Sequence, residues 1–474
     1  MRTACDIASI EKTLRKKLGS TDVVYHKAVV GRSDALFVFS DSMTDKNALN
    51  RNVLPALLKS KTKNVKTLSE KLPFCSTATV STINGAINEI LDGKTVAFID
   101  KQSSALSIDL KKVESRAVAE PPTSAVTKGP REGFTENIKT NVCLIRRKLK
   151  TEYLTLKELT VGRLSKTSVT VCFLSNVADD KVVETVINRI NSIDIDSVAD
   201  SSYIAKLIVE RKASLFKQVG TTEKPDVFCA KLCEGRVGLI VDGSPIAVTV
   251  PFMLVEDFQS SEDYFQNNYH ANLARIIRFI SIAFAVLLPA VFVSAQLFHL
   301  QIIPLNFLLT LVNSIKGIPL SPSAEMFFTL LVFEILNEAS IRMPKYVGMA
   351  LSVVGALVLG DTAVRAGIVS TPTIMIMALS GIALYTVPEL VDSLAVLRLI
   401  FLFVAGSFGG YGIILAICFL LVYLCALENF DVPILAPFAP LEKHDLKDGV
   451  TKGFLGDMKR RPDSLKPKDK IRMK

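Results

Sequence analysis

The sequence predicts a two-part protein: an α/β cytosolic N-terminal region of two subdomains, then an all-α multi-pass transmembrane domain. Charged residues crowd the first 270 positions and the last 35, while 279–427 carries long uncharged runs that an aqueous domain of this size does not need. Apolar strand-like runs alternate with amphipathic helical ones across 21–255. At 474 residues the chain is too long for one core, so its mean hydropathy of +0.36 averages a soluble part and a lipid part. The expected divisions are a first soluble subdomain over 1–120, a second over 121–265, a helical transmembrane domain over 266–430 and a basic cytoplasmic tail over 431–474.

The N-terminus, MRTACDIASIEKTLRKKLG, mixes acids and bases and contains no secretory-type apolar run, so the front half is expected to stay in the cytosol. In that half, 154–162 and 168–175 read as strands, and 136–150 and 180–191 as helices. The Glu-Pro-Pro run at 120–122 marks the boundary between subdomains. Two segments echo each other: 90–109 and 232–250 each run from a glycine (Gly93, Gly235) through a base and an apolar stretch to an aspartate seven residues on (Asp100, Asp242). Both read as hairpins, and either duplication or convergent turn chemistry accounts for the echo.

Chemistry-bearing motifs are sparse. The string VGRLSKTS (161–168) ends like a phosphate loop, but Ser165 stands where the second glycine belongs, so Lys166 and Thr167 read as surface residues. No Gly-x-Ser-x-Gly elbow, HExxH helix or post-strand GxGxxG occurs. The paired carboxylates Asp179 with Asp180 and Asp194 with Asp196 suit helix caps and turns. Eight scattered cysteines, the closest soluble pair being Cys229 and Cys233, and four dispersed histidines suit neither a zinc site nor a disulfide framework. No catalytic residue, cofactor or metal is assigned.

Residues 279–298 give 20 uncharged positions, enough to cross about 30 Å of hydrocarbon, with Arg275 and Arg278 at the entry. After a short re-entrant or interfacial element near Pro304, three further spans are expected, at roughly 346–368, 371–388 and 399–427. Four crossings, or six if 305–345 holds two more, return the chain to its starting side. The tail from Leu441 carries eleven basic against six acidic residues, which fits a cytoplasmic, lipid-facing end and accounts for the +10 charge without nucleic acid.

Within 323–344, Glu334, Glu338 and Arg342 stand at i, i+4 and i+8, so a helix aligns them as a charged stripe beside apolar surface. Such a stripe lies at the interface as an ion-paired amphipathic helix, packs against protein, or lines a water-filled path. Asp361 and Arg365, at i and i+4 inside an expected span, pose the same choice. These five are the candidate conduit or gating residues. Gly348, Gly355, Gly360 and Gly367, with the cluster Gly406, Gly409, Gly410 and Gly412, allow close helix contact, within one chain or between chains.

Several strings resemble those of the A subunits of GerA-type spore germination receptors: GPREGFTENIKTNVCLIRR (129–147), VGRLSKTSV (161–169), EGRVGLIVDGSP (234–245), SSEDY (260–264), IPLSPSAEMFFTLLVFEILNEASIRMP (318–344), VVGALVLGDTAVRAGIVSTP (353–372) and VPILAP (432–437). They run in family order from about residue 90 to the end; the first 75 residues carry no match. The resemblance implies a non-enzymatic subunit of the spore inner membrane. Its partners would be a transporter-like B subunit that binds the nutrient and a C-subunit lipoprotein, and it would form a homo-oligomeric ring that conducts ions. Departures fall at Lys224, where the family usually has Arg, and at Asp361 and Arg365, where neutral polar residues are usual, so ligand, partner and ion selectivity do not carry over. A secondary transporter and a non-conducting scaffold are the competing classes; against the transporter stands the lack of a repeated membrane half.

Overall fold

The computed structural model describes residues 6–30, 33–60, 62, 64–72, 75–111, 128–343 and 360–473. The Glu-Pro-Pro boundary at 120–122, Gly348, Gly355 and most of the expected 346–368 span lie outside the described residues.

The soluble region holds two five-stranded antiparallel sheets. The first contains β1 (Val23–Val30), β2 (Ser33–Ser40), β3 (Thr77–Val80), β4 (Thr95–Ile99) and β5 (Ala105–Ile108) in the spatial order β1-β2-β4-β5-β3. The second contains β6 (Leu154–Val161), β7 (Thr167–Leu174), β8 (Gly220–Thr222), β9 (Val237–Val241) and β10 (Ala247–Val250) in the order β6-β7-β9-β10-β8. The two orders are identical once five is subtracted from each label of the second sheet.

The flanking helices repeat as well. Helix α1 (Ile7–Lys17) precedes the first sheet and α2 (Ile83–Leu91) precedes its β4; helix α3 (Ile138–Lys148) precedes the second sheet. Helix α4 (Asp180–Asn191) follows β7, and α5 (Pro225–Cys233) stands before β9 as α2 stands before β4. Period-two alternation sends Leu36 and Val38 to the face under α1 and α2, and Phe37 and Phe39 to the opposite face under the short helices of 46–70. In the second unit Leu154, Leu156 and Ile240 pack under α3 and α5, while Val169, Val171 and Leu239 pack under α4. Gly93 and Gly235, the glycines of the sequence echo, sit at equivalent points two residues past these helices, with φ of 88° and 105°, the left-handed conformation that ends a helix cheaply with glycine. Shared strand order, helix placement and cap favour duplication over convergent turns.

The two units are bolted together. Arg146 of α3, almost fully buried, forks onto Asp22 at 3.0 and 2.7 Å and reaches Ser20 at 2.9 Å, and Thr21 N–H donates to the Leu156 carbonyl at 2.9 Å.

The helical part starts with α6 (Asn268–Leu297), 30 residues long. Then come α7 (Leu305–Ile315), α8 (Pro322–Arg342), a helical turn at 360–365, α9 (Thr371–Leu384) and α10 (Val391–Cys425). Among the described residues two stretches are long and apolar enough to cross a membrane, Asn268–Leu297 and Pro388–Cys425.

The second is not one rod. Gly409 inside α10 has φ 64° and ψ −151°, and the chain doubles back there. Ser393 near the start of α10 donates to the Leu215 carbonyl at 2.7 Å, while Tyr423 near its end accepts from the Leu215 N–H at 3.0 Å; a straight helix would hold these ends about 45 Å apart. A Cβ on Gly412 would lie 3.1 Å from the Val404 carbonyl oxygen, another contact that only a hairpin permits. The expected single span over 399–427 is therefore two antiparallel arms, 391–408 and 410–425, of about 27 and 24 Å. The expected span over 371–388 is also shorter than predicted, because α9 ends at Leu384 after 14 residues, about 21 Å.

The tail differs from its lipid-facing expectation too. Lys468 N–H donates to the Val177 carbonyl and its Nζ reaches Asp180 at 2.6 Å; Arg461 Nε donates to the Cys233 carbonyl at 2.7 Å. Leu465 is buried against Met253, Val255 and Val432. Lys452, Arg461 and Lys468 thus strap the C-terminus onto the second soluble unit.

Candidate functional site: a buried polar relay in the helix bundle

The bundle core is apolar, formed by residues such as Phe292, Leu330, Met377 and Leu402, yet a chain of polar groups runs through it. Pro289 interrupts α6; lacking an N–H, it leaves the Ala285 carbonyl one turn earlier without its helical donor. Ser380 of α9 fills the gap, donating from Oγ to Ala285 O at 2.7 Å. Arg398, from the first arm of α10 and with no exposed surface, donates from Nη1 to Ser380 Oγ at 3.2 Å and pairs through Nη2 with Glu334 of α8. The Phe333 ring stacks under that guanidinium, its centroid 5.6 Å away. Four helices are thus linked by one hydrogen-bonded series, Glu334 to Arg398 to Ser380 to Ala285.

A second buried link stands near the other end of α8. Glu325, 1% exposed, accepts from both the N–H and the hydroxyl of Ser370 at 2.6 Å, and Ser370 bonds Thr373 at 3.0 Å. The carboxylate sits at the N-terminus of α9, where the helix dipole favours a negative charge. Among the described residues its Oε2 has no hydrogen-bond partner.

The five sequence candidates divide. Glu334 alone enters the relay. Glu338 and Arg342 pair with each other at 2.7 Å and are exposed, because each four-residue step turns a straight helix about 40° and eight residues carry Arg342 off the inward face. The charges therefore do not form one stripe on one surface. Asp361 and Arg365 pair at 2.8 Å and are also exposed. Arg398 and Glu325 escaped the sequence reading. Arg398 is the one basic residue between Val391 and Cys425, which was the available signal; Pro289 with a serine to relieve it was a weaker one. Gly406 packs on Ser323, and Gly409 and Gly410 meet Phe298 and His299 at the hairpin tip, so the glycine cluster encodes the reversal.

The bundle is joined to the soluble units by a charged seam. Lys217 bridges Asp257 at 2.8 Å and Glu389, just before α10, at 2.6 Å. Burial, eased by Lys217 but reinforced by Glu389 and Glu256, pushes the Asp257 carboxyl up to about 7. Burial also acts on neighbouring Glu256, but Arg236 and Lys231 overcome it and hold that carboxyl at about 2. At the α6 entry, Arg275 donates to Asp263 at 3.1 Å and to Asp448 of the tail at 3.0 Å, and Arg278 pairs with Asp263 at 2.8 Å. These flanking arginines face protein acids. Phe430, just past the hairpin, inserts into the second soluble core. Lys224 is buried with Nζ 3.2 Å from Ser261 and 3.9 Å from Asp226; among the described residues Asp226 Oδ1 and Glu223 Oε2 lack hydrogen-bond partners, which a single ammonium, unlike a guanidinium fork, leaves unserved.

Residues 8–464 match the Bacillus/Clostridium GerA spore germination protein family. The chain belongs to the GerA family. Spore germination protein KA of Bacillus subtilis (strain 168) is 32% identical over 98% of this chain and 87% of its own length. Spore germination protein B1 of the same strain is 30% identical over the full length of both. The N-terminal domain of the A subunit of the Bacillus megaterium spore germinant receptor GerK3 has a solved structure, 27% identical, that covers 52% of this GerA chain and 94% of its own at a TM-score of 0.41.

Proposed function

We propose that this GerA chain is the A subunit of a nutrient germinant receptor in the spore inner membrane. It couples nutrient sensing by its partners to ion release, without enzymatic activity, as a homo-oligomeric multi-pass channel. Its partners are a transporter-like B subunit and a C-subunit lipoprotein.

The observation that carries the reading is the buried Glu334–Arg398–Ser380 series inside a bundle of apolar helices. Ionisable groups at such depth are costly, and where they are kept they mark ion paths or gates. The exposed pairs Glu338 with Arg342 and Asp361 with Arg365 add to it: on helices with apolar surface, charges bared to lipid need covering by neighbouring copies or by a water-filled path. The α6 entry, Glu389, Tyr423 and the tail all touch the soluble units, which supports an even number of crossings and one cytoplasmic side for both ends. A second reading, a non-conducting coupling subunit, is favoured by the ion-paired seam at Lys217.

Single-channel recording of the purified chain in planar bilayers tests the proposal, with wild type beside Asp361→Asn and Glu334→Gln. Conductance whose ion preference shifts in either variant is expected. Folded, oligomeric protein that stays silent would sink the channel reading in favour of the coupling subunit.

A further inference from the structure

The two arms of α10 touch at the tip, where Val404 meets Gly412, and both are tied at the base to Leu215. Between these ties lies a cleft of about 760 Å³ lined by Phe401, Phe408, Leu415, Ala416 and Phe419, with Leu215 at its floor. The Tyr423 hydroxyl at the base is already engaged by Ser214 and Leu215, so the walls offer a ligand hydrocarbon contact.

The volume lies inside the range of about 300–1,000 Å³ typical of small-molecule sites. A slot closed at both ends does not admit a helix, which is about 10–12 Å across with its side chains; it does admit a thin flexible chain. The floor segment begins with Arg211 and Lys212, both exposed and, among the described residues, neither in an ion pair. The Arg211 carbonyl accepts from Gln218 Nε2 at 2.6 Å, which pins this pair of cations beside Ala213 at the mouth. Asp392 is the hairpin's only acid, and of the flanking acids Glu210 is paired with Arg189 and Glu389 with Lys217, which leaves the charges of Arg211 and Lys212 uncompensated among the described residues.

We propose that this cleft seats an acyl chain of one anionic phospholipid from the surrounding bilayer, with its phosphate held by Arg211 and Lys212. The site rests on the reading that the helical part lies in a membrane. A lipid there would wedge the hairpin arms at a fixed separation and brace the Leu215 clamp that joins them to the soluble part, so the lipid is a structural ligand of the hairpin.

Native mass spectrometry of the detergent-solubilised full chain, equilibrated with equal phosphatidylglycerol and phosphatidylcholine, tests this. One phosphatidylglycerol per chain is expected to survive conditions that strip phosphatidylcholine. Ala416→Trp, which fills the cleft, should lower that retention about ten-fold. Arg211→Glu with Lys212→Glu, at exposed positions that fold does not depend on, should erase the preference between the two lipids. Equal retention of both lipids by the wild type, or unchanged phosphatidylglycerol on the Trp variant, would overturn the proposal as ordinary annular lipid. So would a disulfide between two Leu415→Cys copies, which would place a second chain in the cleft. Liposome flotation separates the two levels: a chain that does not float undermines the membrane reading, whereas one that floats without retaining phosphatidylglycerol undermines the cleft alone.

Discussion

Glu334→Gln removes the charge opposite Arg398 while keeping shape, and leaves a guanidinium with no exposed surface facing a neutral amide, Ser380 and the Phe333 ring. Unit charges about 4 Å apart attract by about 4 kcal/mol at an effective dielectric near 20, and breaking a buried pair by deleting one partner costs about 3–5 kcal/mol. Glu334 is 28% exposed, so water recovers part of the loss and about 3 kcal/mol is expected. Arg398→Leu should cost a similar amount, since it strands Glu334 and leaves Ser380 serving Ala285 alone. The double variant removes both charges and should recover most of the loss, giving a coupling energy of about 2 kcal/mol or more. Thermal unfolding of the purified chain in detergent, followed by helical circular dichroism across the four proteins of the cycle, measures this. Single-variant effects that add within about 0.5 kcal/mol would mean that the two groups do not interact and that the relay is not a unit.

The seam predicts a pH dependence. Asp257 has its folded-state pKa raised to about 7 from an unfolded value near 3.9, so the folded protein binds the extra proton between those values and stability falls as pH rises from about 4 to about 7, then levels. Asp257→Asn should flatten that slope, worth up to about 3 kcal/mol over this range, in melting temperatures taken from pH 5 to 8; a variant with the wild-type slope would assign the titration elsewhere. Gly409→Val places a side chain at φ 64° and ψ −151° with its Cβ 2.8 Å from the Phe298 ring. Backbone strain of about 1–3 kcal/mol and overpacking of similar size should disrupt the hairpin, seen as lost helicity and faster protease cleavage; wild-type protease resistance would refute the turn.

The soluble units were legible because they are built from local patterns. Strands 154–161 and 167–174 and helix 180–191 follow period two and period 3.6 almost residue for residue. The string VGRLSKTS proves to be the β6–β7 turn, with Lys166 exposed, as a missing glycine in a phosphate loop suggests. Asp179 caps α4 by accepting from the Lys181 N–H at 3.0 Å. The duplication was half visible: Gly93 and Gly235 announced it, but strand order is a long-range property that no window carries. In the bundle hydropathy finds apolar segments but not their direction, so a reversal through one glycine inside an unbroken apolar run reads as a single span. Polar partners across helices are equally hidden, because Arg398 and Glu334 are 64 residues apart.

The way the bundle is tied to the soluble units bears on how a signal could cross between them. At the α6 entry, buried Arg275 and half-buried Arg278 share the buried Asp263, and the tail adds Asp448; stranding such buried charges costs several kcal/mol, so this is a fixed anchor. The 214–218 segment is held differently: two neutral hydrogen bonds at Leu215, one between Ser214 and Tyr423, one from Asn429 to the Gln218 carbonyl, the partly exposed Lys217 to Glu389 pair, and the Phe216 ring buried against Leu394, Leu397 and Leu424 of the hairpin. At about 1 kcal/mol per neutral bond and at most about 1 for an exposed pair, the polar part of the clamp totals roughly 4–5 kcal/mol, to which burial of Phe216 adds about 2. Allosteric couplings are typically about 1–3 kcal/mol, enough for a binding event on the soluble side to weaken this clamp by a contact or two but not to release it or the anchor. The clamp grips both ends of the hairpin whose first arm carries Arg398. Under the proposed function, loosening it is expected to let the arms shift about the Gly409 turn and pull on the Glu334 and Ser380 contacts, with α6 held in place. A two-state bundle needs one fixed helix and one movable element in contact with a polar core, and the hairpin is the element whose attachments have the right strength for the second role.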